Sequence, residues 1–247
     1  MDRSEYIKVV SYNTQCLSYG KAKEKIIEVL KELDADVVGI QEVDLNTRRS
    51  GPDNQMHELA KALGYDYWFF GKTISHQGGA YGHGILSKYP IRKSEIVRYT
   101  DKVEGCEDRT YERHVLSVDG LKLTVYNTHI TGGYGRLFEP LSEVNQVAKR
   151  MALDPAAVLT GDFNLFPDKV VMGLPREGFT PLNIPENPLG TTTDTGYPID
   201  NIVLSGALEY KVNEETKGGI TVHPDTGSDH YPIVAYIKFK EGYDFKY

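Results

Sequence analysis

The sequence predicts an α/β (α+β) fold in which one mixed β-sheet, or two packed sheets, carries helices on its outer faces. Short strand-like runs alternate with helical segments along the whole chain of 247 residues. Some neighbouring strands are joined by a tight turn such as Asp119-Gly120 and others by a helix, so hairpins and crossovers are mixed. No internal repeat and no linker composition interrupts this pattern. Residues 1–247 are therefore predicted to form a single domain.

The N-terminal half alternates strands and helices. Residues 7–12 are predicted to form a strand, and residues 21–33 a helix, because apolar side chains recur at helical spacing from Ile26 to Leu33. The short apolar run at residues 36–40 is typical of a strand buried on both faces. A second helix is expected to end at Gly64. It covers residues 55–63, and short strands are predicted after it at residues 67–70, 84–87 and 91–97.

The C-terminal half begins with a hairpin whose turn is Asp119-Gly120, a strong turn signal between two apolar runs. Its strands are predicted at residues 115–118 and 121–126, followed by helices at 141–151 and 168–173 and strands at 156–159, 199–204 and 232–239. Four segments rich in Gly, Pro and Thr are predicted to be loops, at residues 71–84, 131–135, 185–198 and 214–227. Loops of this length often line a functional site.

Composition indicates an ordinary folded protein, with 40 % hydrophobic and 26 % charged residues. No apolar run approaches the roughly 20 residues that a membrane span needs. The polar N-terminus lacks a signal-peptide pattern, so the expected compartment is the cytoplasm, or the exterior if a signal peptide has been removed. The net charge of −7 argues against a broad, non-specific grip on a polyanion, although a nuclease is still compatible with it. Cys16 and Cys106 are predicted to be plain thiols, because two cysteines give neither a metal-binding spacing nor a disulfide framework.

Polar side chains stand at the points where predicted strands meet loops. A strand that ends in this way aims its last side chain into a crevice at the edge of the sheet. A lone Asp or Asn there is usually a turn residue, but such a repeated pattern is hard to attribute to turns alone. The positions are Asn13, Gln41-Glu42, Asn127-Thr128-His129, Asp162-Phe163-Asn164, Asp200-Asn201 and Ser228-Asp229-His230.

Carboxylate and amide oxygens favour Mg²⁺, Mn²⁺ or Ca²⁺, whereas zinc would need more His or Cys ligands. Mg²⁺ typically takes one or two protein carboxylates, which fits Glu42 and Asp229 as ligands with Asn13 in support. His129 and Asn164 are candidates to donate hydrogen bonds to a charged oxygen. Positioned donors of this kind contribute about 2.7–4 kcal/mol each to a transition state.

These motifs together resemble the endonuclease/exonuclease/phosphatase superfamily, and the match covers nearly the whole chain. Its members include DNase I-like nucleases, abasic-site endonucleases, deadenylases, inositol polyphosphate 5-phosphatases and bacterial sphingomyelinases. The resemblance rests on the strand-end motifs above together with the segment YGHGILSKYPI at residues 81–91. It implies a DNase I-like four-layer α/β sandwich, in which two packed mixed β-sheets are flanked by helices.

The resemblance also implies roles at a metal-dependent site. Glu42 would be the principal ligand of Mg²⁺, or of Mn²⁺ with Ca²⁺ as a further option, and Asn13 and Asp229 would lie nearby. Asp162 would orient or deprotonate the attacking water, while His230 would sit against the scissile phosphate. Either of these two residues is a candidate for the general base, and an aspartate of ordinary pKa would be a weak one.

The phosphate would be held by further residues of the same motifs. The resemblance implies that His129 and Asn164 bind phosphate oxygens, and that Asp200 orients His230 and favours its protonated form. Arg113 resembles the phosphate-contacting arginine of the family, a role that suits its planar charged fork.

Other candidates for substrate contact are His83, Arg49 and Tyr134. His83 stands where many relatives have Asn, and a hydrogen bond within its own loop is the alternative. Arg49 follows Glu42 in the chain, and a solvated loop face is its alternative. Tyr134 lies in the loop after His129. Glu143 departs from the family, because many relatives carry Arg at this position, three residues before the Gln; this puts substrate contact from its helix in doubt.

The function implied is hydrolysis of a phosphodiester by in-line attack of water, without a covalent intermediate. A nuclease is favoured because that activity is common in the family. The alternative is a phosphatase or phosphodiesterase acting on a small or lipid phosphoester. A non-catalytic binding module is disfavoured, because each expected catalytic position carries a competent residue. The predicted partner is a phosphoester substrate such as nucleic acid, bound by a monomer without a membrane span.

Overall fold

The computed structural model describes residues 5–19, 21–101, 105–132 and 137–247 of the chain. Two β-sheets pack face to face, and helices cover both outer faces. The four-layer α/β sandwich expected from the sequence is confirmed. The first sheet contains β1 (Ile7–Asn13), β2 (Val37–Leu45), β3 (Tyr67–His76), β4 (Gly79–Ser87), β11 (Leu208–Tyr210), β12 (Ile220–Val222) and β13 (Ile233–Phe239). The second contains β5 (Ile91–Arg98), β6 (Thr110–Val118), β7 (Leu121–His129), β8 (Ala156–Asp162), β9 (Phe179–Pro181) and β10 (Asp200–Gly206).

Both sheets are mixed. The strand order is β11-β13-β1-β2-β4-β3 in the first sheet, with β12 beside β13, and β5-β6-β7-β8-β10-β9 in the second. The parallel pairs are β1 with β2 and β7 with β8, and the other pairs are antiparallel. Register places Asn13 opposite Gln41 in the first sheet, and His129 opposite Asp162 in the second. Polar strand ends therefore meet at one end of the sandwich.

Helices α2 (Lys23–Leu33) and α3 (Gln55–Leu63) cover the first sheet, after a short turn labelled α1 (Gln15–Tyr19). Helices α4 (Phe138–Met151) and α5 (Pro167–Gly173) cover the second. The bounds of α3 are those predicted, because Asn54 caps its start by accepting the His57 N–H at 3.2 Å and Gly64 ends it with φ of 76°. No helix in the described part of the chain is long and apolar enough to cross a membrane.

Close approach of the two sheets depends on small and polar residues below the site. A Cβ on Gly39 would lie 2.0 Å from the Thr160 Oγ1 of the opposite sheet, so only glycine fits there. Asn127 reaches across from β7 and donates to the carbonyl oxygens of Ile40 (2.9 Å) and Gly84 (3.0 Å). Its own side-chain oxygen accepts from Gln41 at 2.6 Å. These bonds join the sheets directly beneath the polar strand ends.

The prediction of a loop at residues 71–84 was wrong. These residues extend β3 and β4 into a long hairpin whose turn is Gln77-Gly78, with φ of 46° and 90°. The sequence signal was weak because a Gln-Gly turn and a glycine-rich strand both read as loop. The strand predicted at residues 36–40 also continues, through a β-bulge after Ile40, to Leu45.

Candidate active site

A cluster of carboxylates and imidazoles lies where the polar strand ends of the two sheets meet. The structure brings together eight of the predicted site residues: Asn13, Glu42, His129, Asp162, Asn164, Asp200, Asp229 and His230. Most are buried, so their interactions are weakly screened by water.

Glu42 is aimed into the cluster by the β-bulge in β2. The register shifts between Ile40 and Val43, and Glu42 itself has a left-handed φ of 55°. A non-glycine residue in this region is strained, and such strain concentrates at functional sites. Asn13 orients the carboxylate, since its amide nitrogen donates to Glu42 Oε1 at 3.1 Å and to Asp162 Oδ2 at 3.0 Å. Its oxygen accepts the Gln15 N–H at 3.0 Å, so Asn13 supports the carboxylates rather than presenting an oxygen to the centre.

Asp229 is held near Glu42 by the turn that follows β1. The Gln15 amide donates to Asp229 Oδ2 at 2.7 Å, and Ser228 Oγ lies 3.1 Å from Asp229 Oδ1. Every residue from Gln15 to Tyr19 has a left-handed φ, between 47° and 57°. This conformation costs roughly 1–2 kcal/mol per residue outside glycine. Sequence reasoning missed Gln15, whose position is set by this unusual turn.

Asp162 is the centre of the cluster. Its Oδ1 accepts the backbone N–H of Asn164 at 2.9 Å, and Asn164 itself has a left-handed φ of 49°. Its Oδ2 lies 3.5 Å from His129 Nε2 and 3.6 Å from His230 Nε2. Burial raises the pKa of Asp162 to about 7, against the opposing charge of His230.

His230 and Asp200 form a hydrogen-bonded pair. His230 Nδ1 lies 2.8 Å from Oδ2 of Asp200, the first residue of β10. Burial alone would lower the pKa of His230, but the carboxylates of Asp200 and Asp162 outweigh it and raise the pKa to about 10. His230 is therefore an imidazolium at neutral pH, with Nδ1 donating to Asp200 and Nε2 facing Asp162.

His129 is neutral, because burial lowers its pKa well below the usual range and the charge of Arg109 lowers it further. Arg109 Nη1 lies 3.1 Å from His129 Nδ1. A guanidinium can only donate, so Nδ1 accepts and the imidazole proton resides on Nε2. That proton faces Asp162 Oδ2 at 3.5 Å. The Asn164 amide nitrogen lies 3.1 Å from Nε2 but donates to the Ile130 carbonyl, so its contact with His129 is one of packing between two donors.

Arg109, rather than Arg113, is the arginine of this cluster. Arg113 lies far from the strand end, opposite Tyr126, and is buried against Asp154 in a two-point ion pair of 2.9 and 2.5 Å. The substrate contact expected of Arg113 is therefore not supported by its placement. The signal for Arg109 was present in the sequence. The Asp119-Gly120 turn pairs Val118 with Leu121, and counting outward in that register brings the start of β6 beside His129.

His83 lies behind His129 rather than at the mouth of the cluster. It is fully buried, its Nε2 is 3.1 Å from Thr73 Oγ1, and its ring centroid is 6.3 Å from that of His129. Burial lowers its pKa to about 4, so it is neutral at pH 7. A substrate contact from His83 does not fit this placement, and its position is that of a packing partner.

Arg49 is fixed beside the cluster by Asp44, with Nε–Oδ2 and Nη2–Oδ1 distances of 2.8 and 2.9 Å. Its guanidinium also lies 3.0 Å from Cys16 Sγ and over the ring of Tyr81 at 5.2 Å. This pairing with Asp44 leaves few guanidinium N–H groups of Arg49 free to bind a ligand. The substrate contact of Arg49 stays a prediction. Tyr134 lies outside the described residues.

The donor set fits a hard divalent cation. Burial raises the pKa of Glu42, and the nearby charge of Asp229 raises it further, so two carboxylates are held together at an energetic cost that a cation would relieve. Both are oxygen ligands, which Mg²⁺ and Mn²⁺ prefer. Ligand atoms of Asp162, Asp200 and His230 also lie within 4.8 Å of one another. A protonated imidazole cannot ligate a metal, so Glu42 and Asp229 are the better candidates.

Several solved structures share this fold. Humanized D. rerio TDP2 with 14 mutations has a TM-score of 0.75 and 19 % identity, covering 95 % of this chain and 100 % of that one. An endonuclease/exonuclease/phosphatase from Beutenbergia cavernae DSM 12333 has a TM-score of 0.73 and 18 % identity, covering 95 % and 72 %. The mannosyl-6-phosphatase of Bacteroides thetaiotaomicron VPI-5482 has a TM-score of 0.70 and 18 % identity, covering 94 % and 100 %.

Identities this low show a common fold and nothing finer about activity. No curated protein sequence has significant similarity to the chain. The sequence profile of one family, however, matches residues 10–230, which is most of the chain and spans the cluster from Asn13 to His230. The chain therefore belongs to the Endonuclease/Exonuclease/phosphatase family.

Proposed function

We propose that this protein hydrolyses phosphoesters, with Mg²⁺ or Mn²⁺ as cofactor and direct attack of water on phosphorus. The observation that carries the proposal is the position of Asp162, which lies between two imidazoles at 3.5 and 3.6 Å. Those imidazoles are in opposite protonation states, one neutral and one charged. A base flanked by two such donors suits proton abstraction from water beside a phosphate.

Asp162 is our candidate for the general base. A pKa of about 7 matches the operating pH far better than an ordinary aspartate, whereas His230, with a pKa of about 10, already carries its proton. The Asn164 N–H and the Asn13 amide fix the two carboxylate oxygens and so orient the group. Our proposal therefore favours Asp162 over His230, the two candidates that the sequence left open.

Charge on the phosphate would be met by donors from three directions. His230 presents an imidazolium oriented by Asp200, and His129 presents its Nε2–H, which Arg109 enforces by donating to Nδ1. Arg109 adds a permanent positive charge of its own. Glu42 and Asp229 would hold the cation, which when bound supplies charge stabilisation of the phosphate and the leaving group.

The first substrate that we propose is a nucleic-acid phosphodiester. One similar structure, D. rerio TDP2, was solved with a single-strand DNA product, with a TM-score of 0.74 and 17 % identity. Two exposed aromatic rings meet at 5.4 Å, Phe166, which follows Asn164 closely in the chain, and Tyr197, and they offer a surface on which a base can stack. We propose that the enzyme acts as a monomer.

A small phosphoester is the second candidate. The net charge of −7 disfavours a long polyanion, and the described arginines at the cluster are already engaged, Arg109 with Glu107 at 3.1 Å and Arg49 with Asp44. A mannosyl-6-phosphatase shares the fold. Aromatic rings such as Phe166 also stack on sugars.

A panel of substrates tests the proposal. Purified protein with Mg²⁺ or Mn²⁺ is assayed on bis-p-nitrophenyl phosphate, p-nitrophenyl phosphate, plasmid, single-stranded oligonucleotide, mannose 6-phosphate and sphingomyelin. Activity should disappear with chelator and in Asp162→Asn. Cleavage of plasmid or oligonucleotide supports the nuclease, and turnover of the small or lipid esters alone supports the second candidate. Full activity in chelator or in Asp162→Asn contradicts the mechanism.

A further inference from the structure

Glu143 on α4 is a buried carboxylate that the mechanism above does not use. It is 2 % exposed, and both of its oxygens accept hydrogen bonds from Thr131, one from the backbone N–H at 2.7 Å and one from the hydroxyl at 2.6 Å. Bonds to a charged acceptor are stronger than those between neutral groups. Glu143 therefore fixes both the backbone and the side chain of Thr131.

The segment that Thr131 belongs to, residues 130–132, supports Asn164. The Ile130 carbonyl accepts from the Asn164 amide at 3.1 Å, while the Ile130 N–H donates to the Asp162 carbonyl at 2.9 Å. Gly132 lies directly against the same amide, because a Cβ there would be 2.9 Å from Asn164 Cγ. Residues 130–132 therefore form one wall of the space in which the Asn164 side chain sits.

The orientation of Asn164 matters for the cluster. Its amide lies 3.1 Å from His129 Nε2, its N–H holds Asp162, and its φ of 49° is strained. A strained residue keeps its geometry only where its surroundings over-determine it. Glu143 also lines a small cavity of about 30 Å³ together with Thr131 and Arg109, the arginine that contacts His129.

We propose that Glu143 is a positioning residue of the active site: by fixing Thr131 it holds residues 130–132 against Asn164 and so keeps the Asn164 side chain in place beside His129. The proposal rests on the proposed function insofar as the cluster is catalytic. It also accounts for an acidic residue at a helix position where a basic one was expected, since only an acceptor can receive both donors of Thr131.

Three variants test this role. Glu143→Ala removes both bonds, and we expect kcat on bis-p-nitrophenyl phosphate to fall by about 10- to 100-fold with little change in KM, the scale of a small misplacement. Glu143→Gln can still accept the Thr131 N–H and donate to its hydroxyl, so it should restore most of the activity. Glu139→Ala, a carboxylate removed one turn earlier on the same helix, is the matched control and should leave kcat unchanged.

A double-mutant cycle separates positioning from general stability. If Glu143 acts through Asn164, then adding Glu143→Ala to Asn164→Ala should cost far less than it costs the wild type. Additive losses would overturn the proposal, as would wild-type kcat in Glu143→Ala. Should Glu143→Ala fail to fold, Thr131→Val, which removes one of the two bonds, is carried through the same cycle.

One readout does not depend on turnover. The ¹⁵N side-chain resonances of His129, assigned with a His129→Gln variant, should shift in Glu143→Ala and stay in place in Glu139→Ala. Unchanged His129 resonances in Glu143→Ala would contradict the positioning role even if no substrate is found. A wild type inert on every substrate, with shifted His129 resonances, would instead count against the proposed function alone.

Discussion

At the scale of single residues, burial and neighbouring charges set the protonation states of the site. His129 and His230 are both buried, yet the pKa of one is lowered and that of the other raised. Asp162 lies beside both, and the difference comes from their other neighbours, because Arg109 contacts His129 whereas Asp200 is hydrogen-bonded to His230. Two identical side chains thereby receive different roles.

The raised pKa of His230 predicts a pH dependence of stability. A group whose pKa is higher in the folded state stabilises the fold fully below its unfolded pKa, near 6.5, and loses that contribution as pH rises towards about 10. The stability difference between wild type and His230→Gln should therefore shrink over this range, with a slope of at most about 1.4 kcal/mol per pH unit. Urea unfolding in chelator between pH 6 and pH 10 measures it. Parallel pH profiles would contradict the pairing with Asp200.

The two arginines of β6 should separate activity from stability. Arg109→Met removes a donor at the cluster and is expected to lower kcat by about 10²–10³-fold while the protein remains folded. Arg113→Met leaves Asp154 buried without its partner, and is expected to destabilise the fold by about 3–5 kcal/mol with near-normal kcat per folded molecule. Steady-state kinetics and urea unfolding of both variants check this. A large loss of kcat in Arg113→Met with normal kcat in Arg109→Met would instead support Arg113 as the arginine that contacts the phosphate.

At the scale of elements, strand ends and irregular backbone bring the reactive groups together. The β-bulge in β2 turns Glu42 inward, the left-handed turn after β1 brings Gln15 to Asp229, and the turn after β8 seats Asn164 on Asp162. The bulge and both turns depart from regular secondary structure directly at the site. The regular strands on either side hold these departures in place.

The contact between β2 and β8 gives an element-level prediction. Gly39→Ala would push a methyl group to 2.0 Å from Thr160 Oγ1, so the sheets must separate at a cost of about 1–3 kcal/mol or more. Removing the obstructing hydroxyl in Gly39→Ala/Thr160→Ala should recover part of that loss. Thermal unfolding of the single and double variants measures both, and equal losses in the two would mean that another contact sets the spacing.

At the scale of the whole molecule, cation binding and folding should be coupled. The carboxylates of Glu42 and Asp229 come from opposite ends of the chain and meet only in the folded protein. Mg²⁺ at 100 times its dissociation constant is expected to stabilise the fold by about 2.7 kcal/mol, raising Tm. In Glu42→Gln/Asp229→Asn that rise should be lost. A Tm of the double variant that still climbs with Mg²⁺ would place the cation elsewhere.

Much of the architecture was predictable from the sequence, because it depends on local patterns. Apolar periodicity and the signals around Asn54, Gly64 and Asp119-Gly120 predicted the helix α3 and the β6–β7 hairpin, and polar strand ends predicted which residues would meet. The full length of the hairpin of β3 and β4 was not predicted, since a glycine-rich strand and a Gln-Gly turn have the sequence pattern of a loop.

The sequence by itself therefore determined the alternation of strands and helices, through period and turn chemistry. Its motif order indicated the family, and the resemblance implied the sandwich and eight residues of the cluster. Only the tertiary structure decided what surrounds each side chain. It buried His83, committed Arg49 to Asp44 and Arg113 to Asp154, and set Glu143 against Thr131. These are contacts between side chains whose partner depends on the face each one presents and on how the layers stack, which no local pattern encodes.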